Sequence, residues 1–106
     1  MNNDLRALTG VVIDPGHGGS DPGAVGNNNY GKDYALKISQ YMYDRFNELG
    51  IPVTLTRDSD ITLSPTERIN KILSAYGNAP DVIVISNHLN AGGRVRKIVM
   101  DEIYGV

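Results

Sequence analysis

Two short apolar runs, each leading to a histidine, constrain the fold of this chain more than any other feature. Residues 11–13 precede a turn that carries His17, and residues 82–85 precede His88; the 106 residues hold no further histidine. If both runs are parallel strands of one sheet, both imidazoles emerge at its carboxyl edge, where open α/β sheets build their ligand sites. Two imidazoles converging there make a candidate metal site.

The segments between these runs have helix and strand patterns in alternation. Residues 32–49 have apolar side chains at every third or fourth position, which predicts an amphipathic helix. In residues 51–55 apolar side chains alternate with other residues, which predicts a strand. Ser64 to Glu67 combine a capping box with a proline at the first helical position, which predicts a helix that Gly77 ends. Residues 82–85 are apolar throughout, as a strand buried on both faces requires. The order β-α-β-α-β predicts a three-layer α/β sandwich around a mostly parallel twisted sheet.

Periodicity also predicts which side chains of the two helices face the core. In the second helix the inward set is Ile69, Ile72, Leu73 and Tyr76. On the first helix, a partly buried amphipathic face is the expected place for Tyr34, Tyr41 and Tyr43.

Composition limits the protein to a few classes. A chain of 106 residues predicts one domain, residues 1–106, with four or five strands, and its net charge of −2 argues against a nucleic-acid partner. Because cysteine is absent, a metal would have to bind to histidine and carboxylate. The sequence shows no signal peptide and no apolar run long enough to span a membrane.

Several motifs together resemble the zinc-dependent N-acetylmuramoyl-L-alanine amidases of bacterial and phage cell-wall hydrolases. They run in order from about Gly10 to Gly93: residues 12–19 (VIDPGHGG), 21–24 (DPGA), 56–57 (TR) with Asp60, 67–68 (ER), and 86–91 (SNHLNA).

The resemblance implies a phosphorylase/hydrolase-like α/β fold with one zinc held by His, Glu and His. It implies hydrolysis of the amide between the lactyl group of N-acetylmuramic acid and L-alanine, with peptidoglycan as partner and the bacterial cell wall as the place of action. By matching positions, His17 and His88 are the imidazole ligands.

One ligand position differs from the family pattern. The family's glutamate ligand opens the helix after the glycine-rich loop, before a Lys-Asp pair like Lys32-Asp33, and here that position is Gly31. Glycine has no ligand atom in its side chain, so a third bond would come from water or a neighbour such as Asp33. Two histidines alone predict weaker zinc binding than three ligands.

The tail allows two interpretations. The resemblance implies a late catalytic glutamate, and Glu102 is its candidate if residues 99–106 form the family's last strand. Otherwise those residues form the family's next strand, the domain is shortened, and Glu102 is a surface carboxylate. The function is then zinc-dependent peptidoglycan hydrolysis or, alternatively, that of an impaired amidase-fold domain that at most binds peptidoglycan.

The remaining polar residues have both structural and functional interpretations. Asp14 either shapes the turn or holds an imidazole through a hydrogen bond, with the turn favoured. The amides of Asn87 and Asn90 either contact substrate or serve turns. Surface or helix-end ion pairs with Asp60 and Glu67 are expected for Arg57 and Arg68. Tight turns and close backbone approach explain Gly16, Gly18, Gly19 and Gly23.

A phosphate-binding loop is a rival interpretation of residues 26–33, which have the G-x-x-x-x-G-K spacing. Asp33 stands where such loops place Ser or Thr, and its negative charge disfavours a phosphate ligand.

Overall fold

The computed structural model describes residues 8–89 and the backbone of residues 95–98. The elements in chain order are β1 (Gly10–Pro15), β2 (Val25–Gly26), β3 (Asn29–Tyr30), α1 (Gly31–Glu48), β4 (Val53–Leu55), α2 (Pro65–Tyr76), β5 (Val82–Leu89) and β6 (Val95–Ile98).

The main sheet has the strand order β4-β1-β5-β6. Strands β4 and β5 both pair in parallel with β1, whereas β6 runs antiparallel to β5. The predicted α/β class and mostly parallel sheet are therefore confirmed. Neither β6 nor the small antiparallel hairpin of β2 and β3 was predicted from the sequence.

The helices cover opposite faces of the sheet, because successive side chains of β1 point to opposite faces and pack with different helices. Val12 packs with Val84 and with Ile72 of α2 on one face. On the other face, Val11 and Ile13 pack with a cluster that includes Met42 and Phe46 of α1. Strand β1 is buried along its whole length, so the loop that follows it starts from a fixed point.

Two predictions of burial are wrong. Ile83 on β5 is 37% exposed and Ile69 on α2 is 39% exposed. Periodicity reports which face a side chain occupies but not how much of that face a neighbour covers. Ile72, one turn after Ile69, is buried as expected.

Helix α2 begins as the sequence predicts. The Ser64 hydroxyl accepts a hydrogen bond from the Glu67 N–H, and the Glu67 carboxylate accepts one from the Ser64 N–H. These bonds lower the pKa of Glu67. Within the described residues, neither helix is long and apolar enough to cross a membrane.

Candidate metal centre

The fold brings the two predicted histidines together. Their ring centroids are 5.0 Å apart, and the rings are nearly perpendicular, at 79°. His17 follows the end of β1, whereas His88 lies within β5, which continues beyond the predicted apolar run. We call His17 and His88 the two-histidine site.

His17 occupies a strained backbone conformation. Its φ of +61° lies in the left-handed region that side chains other than glycine rarely adopt. Such a conformation persists only where surrounding contacts impose it, and these positions cluster at functional sites.

Two arginines impose this conformation by binding the carbonyl groups of the loop. The Arg57 guanidinium donates to the carbonyls of Pro15 at 3.2 Å and Gly16 at 2.8 Å. Arg68 donates to the carbonyls of Pro15 at 2.7 Å and His17 at 3.0 Å. Every carbonyl from residue 15 to residue 17 therefore accepts a charged hydrogen bond.

The expected surface ion pairs of these arginines are wrong. Arg57 is only 3% exposed, and burial, together with the nearby positive charge of Arg68, lowers its pKa. Arg68 forms its ion pair with the buried Asp14, at 2.6 Å, and not with Glu67. Both arginines are positioning residues for the loop that carries His17.

The two nitrogens of the His17 ring have different surroundings. Nδ1 lies 3.0 Å from the Asp21 carboxylate, which can only accept, so Nδ1 carries the proton. Nε2 is buried and has no hydrogen-bond partner among the described residues. A buried acceptor without a partner is costly unless a ligand satisfies it.

Asp21 is held as a carboxylate at this position. Partial burial raises its pKa, but hydrogen bonds with His17 and with the Gly23 N–H outweigh that effect and lower the pKa overall. A carboxylate that orients an imidazole is the usual partner of a metal-binding histidine.

His88 is held through a buried chain of hydrogen bonds. The Ser86 hydroxyl donates to Asp14 at 2.5 Å and lies 2.9 Å from Nε2 of His88. Because the single hydroxyl proton goes to Asp14, the Ser86 oxygen accepts from Nε2–H, which leaves the lone pair of His88 on Nδ1.

The favoured turn role of Asp14 is therefore wrong. Its side chain is buried and accepts from Thr56 at 2.7 Å, Arg68 at 2.6 Å and Ser86. Asp14 does support an imidazole, but it supports His88, and it does so through Ser86.

Two glycines leave space beside the ring nitrogens, in agreement with the prediction that backbone approaches closely at these positions. A Cβ atom at Gly16 would lie 2.5 Å from Nδ1 of His88. At Gly23, where φ is +69°, a Cβ atom would lie 3.0 Å from Nε2 of His17. Any side chain at either position would fill the space next to the nitrogen that carries the lone pair.

The position where the resemblance predicts a third ligand, Gly31, is closed by backbone. Gly31 is buried, and a Cβ atom there would lie 2.8 Å from the Leu89 carbonyl oxygen and 2.9 Å from the Ala24 nitrogen. Within the described ranges, no histidine, aspartate or glutamate joins the two-histidine site to form a metal-binding group of three. Asp33 is exposed on the first turn of α1 and does not replace the missing ligand.

Other predicted site residues lie elsewhere. Asn87 is buried and donates to Ser39 at 3.0 Å and to the Met42 sulfur at 3.3 Å, so its amide faces α1 and not the site. Because side chains alternate along a strand, Ser86 and His88 share the face opposite to Asn87. Asn90 and Glu102 lie outside the described residues.

Asp60 and Lys32 form a second anchor of the glycine-rich loop, which we call the outer anchor. The Asp60 carboxylate accepts from the Gly19 N–H at 2.7 Å and from the Lys32 ammonium at 2.9 Å. These hydrogen bonds lower the pKa of Asp60. Lys32 also donates to the Gly19 carbonyl at 3.0 Å, so it joins α1 to the loop.

The sequence analysis missed Asp21, Ser86 and Lys32 as parts of the site. Strand alternation could have placed Ser86, two residues before His88, beside that ring. The carboxylate of Asp21 lies four residues after His17, within reach in any tight loop. Lys32 contacts Gly19 of the loop, 13 residues away, and Asp60, 28 residues away, so local patterns carry no signal for it.

The chain resembles known proteins over most of its length. The profile of the N-acetylmuramoyl-L-alanine amidase family matches residues 11–97. The uncharacterized protein YqiI of Bacillus subtilis is 42% identical over 82 residues, which are 77% of this chain and 38% of that protein. The germination-specific N-acetylmuramoyl-L-alanine amidase of the same organism is 34% identical over 91 residues, with coverage of 76% and 38%.

Solved structures agree with the sequence relatives. The catalytic domain of CwlV, an N-acetylmuramoyl-L-alanine amidase from Bacillus (Paenibacillus) polymyxa, superposes with a TM-score of 0.66 at 32% identity. The match covers 76% of this chain and 44% of that structure, so the chain spans less than half the length of these relatives. The family profile, the identities and the fold agree, and the chain belongs to the N-acetylmuramoyl-L-alanine amidase family.

Proposed function

We propose that the protein acts at the bacterial cell wall and hydrolyses peptidoglycan at the amide between N-acetylmuramic acid and L-alanine, with zinc at the two-histidine site. The buried Nε2 of His17, which has no partner among the described residues and lies beside the second imidazole, carries this proposal. Family membership supports it, as do one relative named as an N-acetylmuramoyl-L-alanine amidase and another named as a probable cell wall amidase.

The donor set fits zinc at two positions. His17 Nε2 and His88 Nδ1 hold the lone pairs, and Gly16 and Gly23 leave space beside them. Neutral imidazole nitrogen is a common zinc ligand. When bound, zinc supplies Lewis-acid polarisation of the scissile carbonyl and makes water more acidic.

The chain's own residues hold the two rings ready. Asp21 keeps a proton on Nδ1 of His17, and Ser86 with Asp14 keeps one on Nε2 of His88. Arg57 and Arg68 fix the loop at residues 15–17. We assign Glu102 the role of the base that accepts a proton from water and passes it to the leaving amine.

A second candidate function is peptidoglycan binding without turnover. Gly31 favours it, because the position where the family has a glutamate ligand offers no side chain and is closed by the backbone of Leu89 and Ala24. A two-histidine site holds a divalent cation with less Coulomb attraction than a site with a carboxylate ligand.

Release of stem peptide from purified peptidoglycan, followed by mass spectrometry, distinguishes the two functions. Hydrolysis requires that zinc-loaded protein releases peptides beginning with L-alanine, and that His17→Ala and His88→Ala abolish release. Glu102→Gln should abolish release while zinc affinity stays unchanged, since the family's base is not a ligand. Protein that sediments with peptidoglycan but releases no peptide would establish the binding function.

A pair of variants at Gly31 tests the missing ligand. Any side chain at Gly31 requires the backbone at Leu89 and Ala24 to shift, so the comparison is between two variants that share this shift. Gly31→Glu should bind zinc about tenfold or more tightly than Gly31→Ala, because a charged oxygen ligand joins two imidazoles. Gly31→Ala is the matched control, because it brings the same Cβ contacts with Leu89 and Ala24 without a ligand atom. Equal zinc affinity in the two variants, measured by chelator competition, would show that Gly31 is not the ligand position.

A further inference from the structure

The three tyrosines of α1, which were predicted to share a partly buried face, differ in their exposure. Tyr43 packs with the core cluster, but Tyr34 is 43% exposed and Tyr41 is 80% exposed. Tyr30, immediately before the helix, is 40% exposed. Tyr30 and Tyr34 line the same two cavities, so both rings belong to one surface, which we call the tyrosine pair.

The tyrosine pair lies between two cavities and lines both of them. The first, of about 210 Å³, has Ala24, Val25, Gly31 and Leu89 among its other walls. The second, of about 420 Å³, is bordered by polar side chains that include Asn29, Asp33, Lys37 and Gln40. One pair of aromatic rings thus contacts a mainly apolar cavity and a cavity of mixed polarity.

The first cavity adjoins the two-histidine site. Ala24, in its wall, directly follows Gly23, where a Cβ atom would lie 2.6 Å from Cδ2 of the His17 ring. The Ala24 N–H donates to the Leu89 carbonyl at 3.2 Å, and the Gly31 N–H donates to the Ala24 carbonyl at 2.7 Å. These bonds join the wall of the cavity to the strand that carries the imidazole.

Tyr30 is held in place before any ligand binds. The backbone of Tyr30 pairs with that of Val25 in the β2–β3 hairpin. The Lys32 ammonium lies 5.7 Å from the centroid of the Tyr30 ring, within the range of a cation–π interaction. A ring fixed in this way loses little conformational entropy when a ligand stacks on it.

The chemistry of this surface fits a saccharide. A pyranose ring has an apolar face of C–H groups and a rim of hydroxyl and acetamido groups, and an aromatic ring beside polar side chains complements both. The charged side chains in the wall of the second cavity are one acid, Asp33, and one base, Lys37. This balance of charge suits a neutral ligand.

We propose that Tyr30 and Tyr34 form a saccharide platform that holds N-acetylated sugars of the glycan strand beside the two-histidine site. The proposal rests on the proposed function, because action on peptidoglycan makes its glycan the source of the ligand. It adds which side chains of this chain contact the sugars.

Binding of the N-acetylglucosamine tetrasaccharide to metal-free protein tests the platform, by calorimetry or NMR titration. Tyr30→Ala and Tyr34→Ala should each weaken binding by about tenfold, since each removes a stacking ring. Tyr34→Phe should bind within about threefold of the unchanged protein, because the ring remains. Tyr41→Ala is the matched control: this more exposed tyrosine of α1 is not in the wall of either cavity, and its loss should leave affinity unchanged.

Failure of the platform and failure of the proposed function give different results. The tetrasaccharide contains no peptide and the protein contains no metal, so this binding does not depend on amide hydrolysis. Absence of binding, or binding that survives both alanine variants, overturns the platform whatever the hydrolysis assay shows. Displacement of the tetrasaccharide by free stem peptide would also overturn it, since the surface would then bind peptide.

Discussion

The two histidines are held by different kinds of structure. His17 lies on a loop in a left-handed conformation, and two arginines bind the carbonyl groups around it. His88 lies on a regular strand, and its ring depends on two buried side chains, Ser86 and Asp14. Loop carbonyls have no intrinsic partners, whereas strand carbonyls are paired by the sheet. The loop histidine therefore needs backbone anchors, and the strand histidine needs only a partner for its ring.

Removal of the loop anchor should have the largest effect on stability. Arg57→Met leaves the carbonyls of Gly16, Ser59 and Lys32 without their charged donor, and the Pro15 carbonyl keeps only its bond from Arg68. We expect a loss of about 3 kcal/mol in the free energy of unfolding, measured by urea denaturation.

Arg45→Met is the control for Arg57→Met, because Arg45 forms an exposed ion pair with Glu48 at 3.2 Å. Its loss should change stability by less than about 0.5 kcal/mol. If the two variants unfold at the same urea concentration, the carbonyl contacts of Arg57 do not hold the loop.

Removal of the ring partner of His88 should affect the metal site more than the fold. Ser86→Ala eliminates the hydrogen bonds to Asp14 and His88, which we expect to cost about 1–2 kcal/mol of stability. Zinc affinity should fall by about tenfold, because the ring loses the partner that fixes its tautomer.

Nitrogen NMR of the metal-free protein tests the cause of that loss. The His88 ring should carry its proton on Nε2 in the unchanged protein and become a mixture of tautomers in Ser86→Ala. A ring that is already protonated on Nδ1 in the unchanged protein would contradict the assignment.

The equivalent change at the loop histidine removes the charge of its ring partner, Asp21. Asp21 is largely exposed, so Asp21→Asn should leave the free energy of unfolding within about 0.5 kcal/mol of its original value. Zinc affinity should fall by about tenfold, because an amide is a weaker acceptor for Nδ1–H than a carboxylate. Chelator competition measures it, and an unchanged affinity would show that the arginine anchors alone orient His17.

Sequence patterns predicted the local parts of this molecule and missed the long-range ones. The capping box of α2 involves residues 64–67, so its signal was complete within four positions. The β2–β3 hairpin is an exception, because it is local and was not predicted. It turns through Asn27 and Asn28, both with positive φ, and asparagine is one of the residues that favour such a turn.

The site shows the same limit. The positions of His17 and His88 followed from strand topology alone, and the structure brings these rings together. The bonds that hold them could not be predicted, because Arg57 and Arg68 lie 41 to 53 residues away from the carbonyls of residues 15–17 that they bind. Nothing in a single sequence states which carbonyl group a distant guanidinium reaches.

The outer anchor at Asp60 should produce the smallest effect, and it should depend on pH. Hydrogen bonds from Lys32 and the Gly19 N–H lower the pKa of Asp60 below its ordinary value of about 3.9. A group whose pKa is lower in the folded state binds its proton more readily when unfolded. Its contribution to stability is therefore complete above the ordinary pKa and is lost as pH falls through the folded value.

Asp60→Asn tests this dependence directly. The variant should unfold at a lower urea concentration than the unchanged protein at pH 7, and the difference should narrow below about pH 4, as Asp60 itself becomes protonated. Asp58→Asn, at an exposed carboxylate two residues away, is the matched control and should show a smaller difference at pH 7. A difference that stays constant from pH 7 to pH 3 would mean that Asp60 holds the loop without its charge, so the outer anchor would differ in kind from the charged arginine anchors of His17.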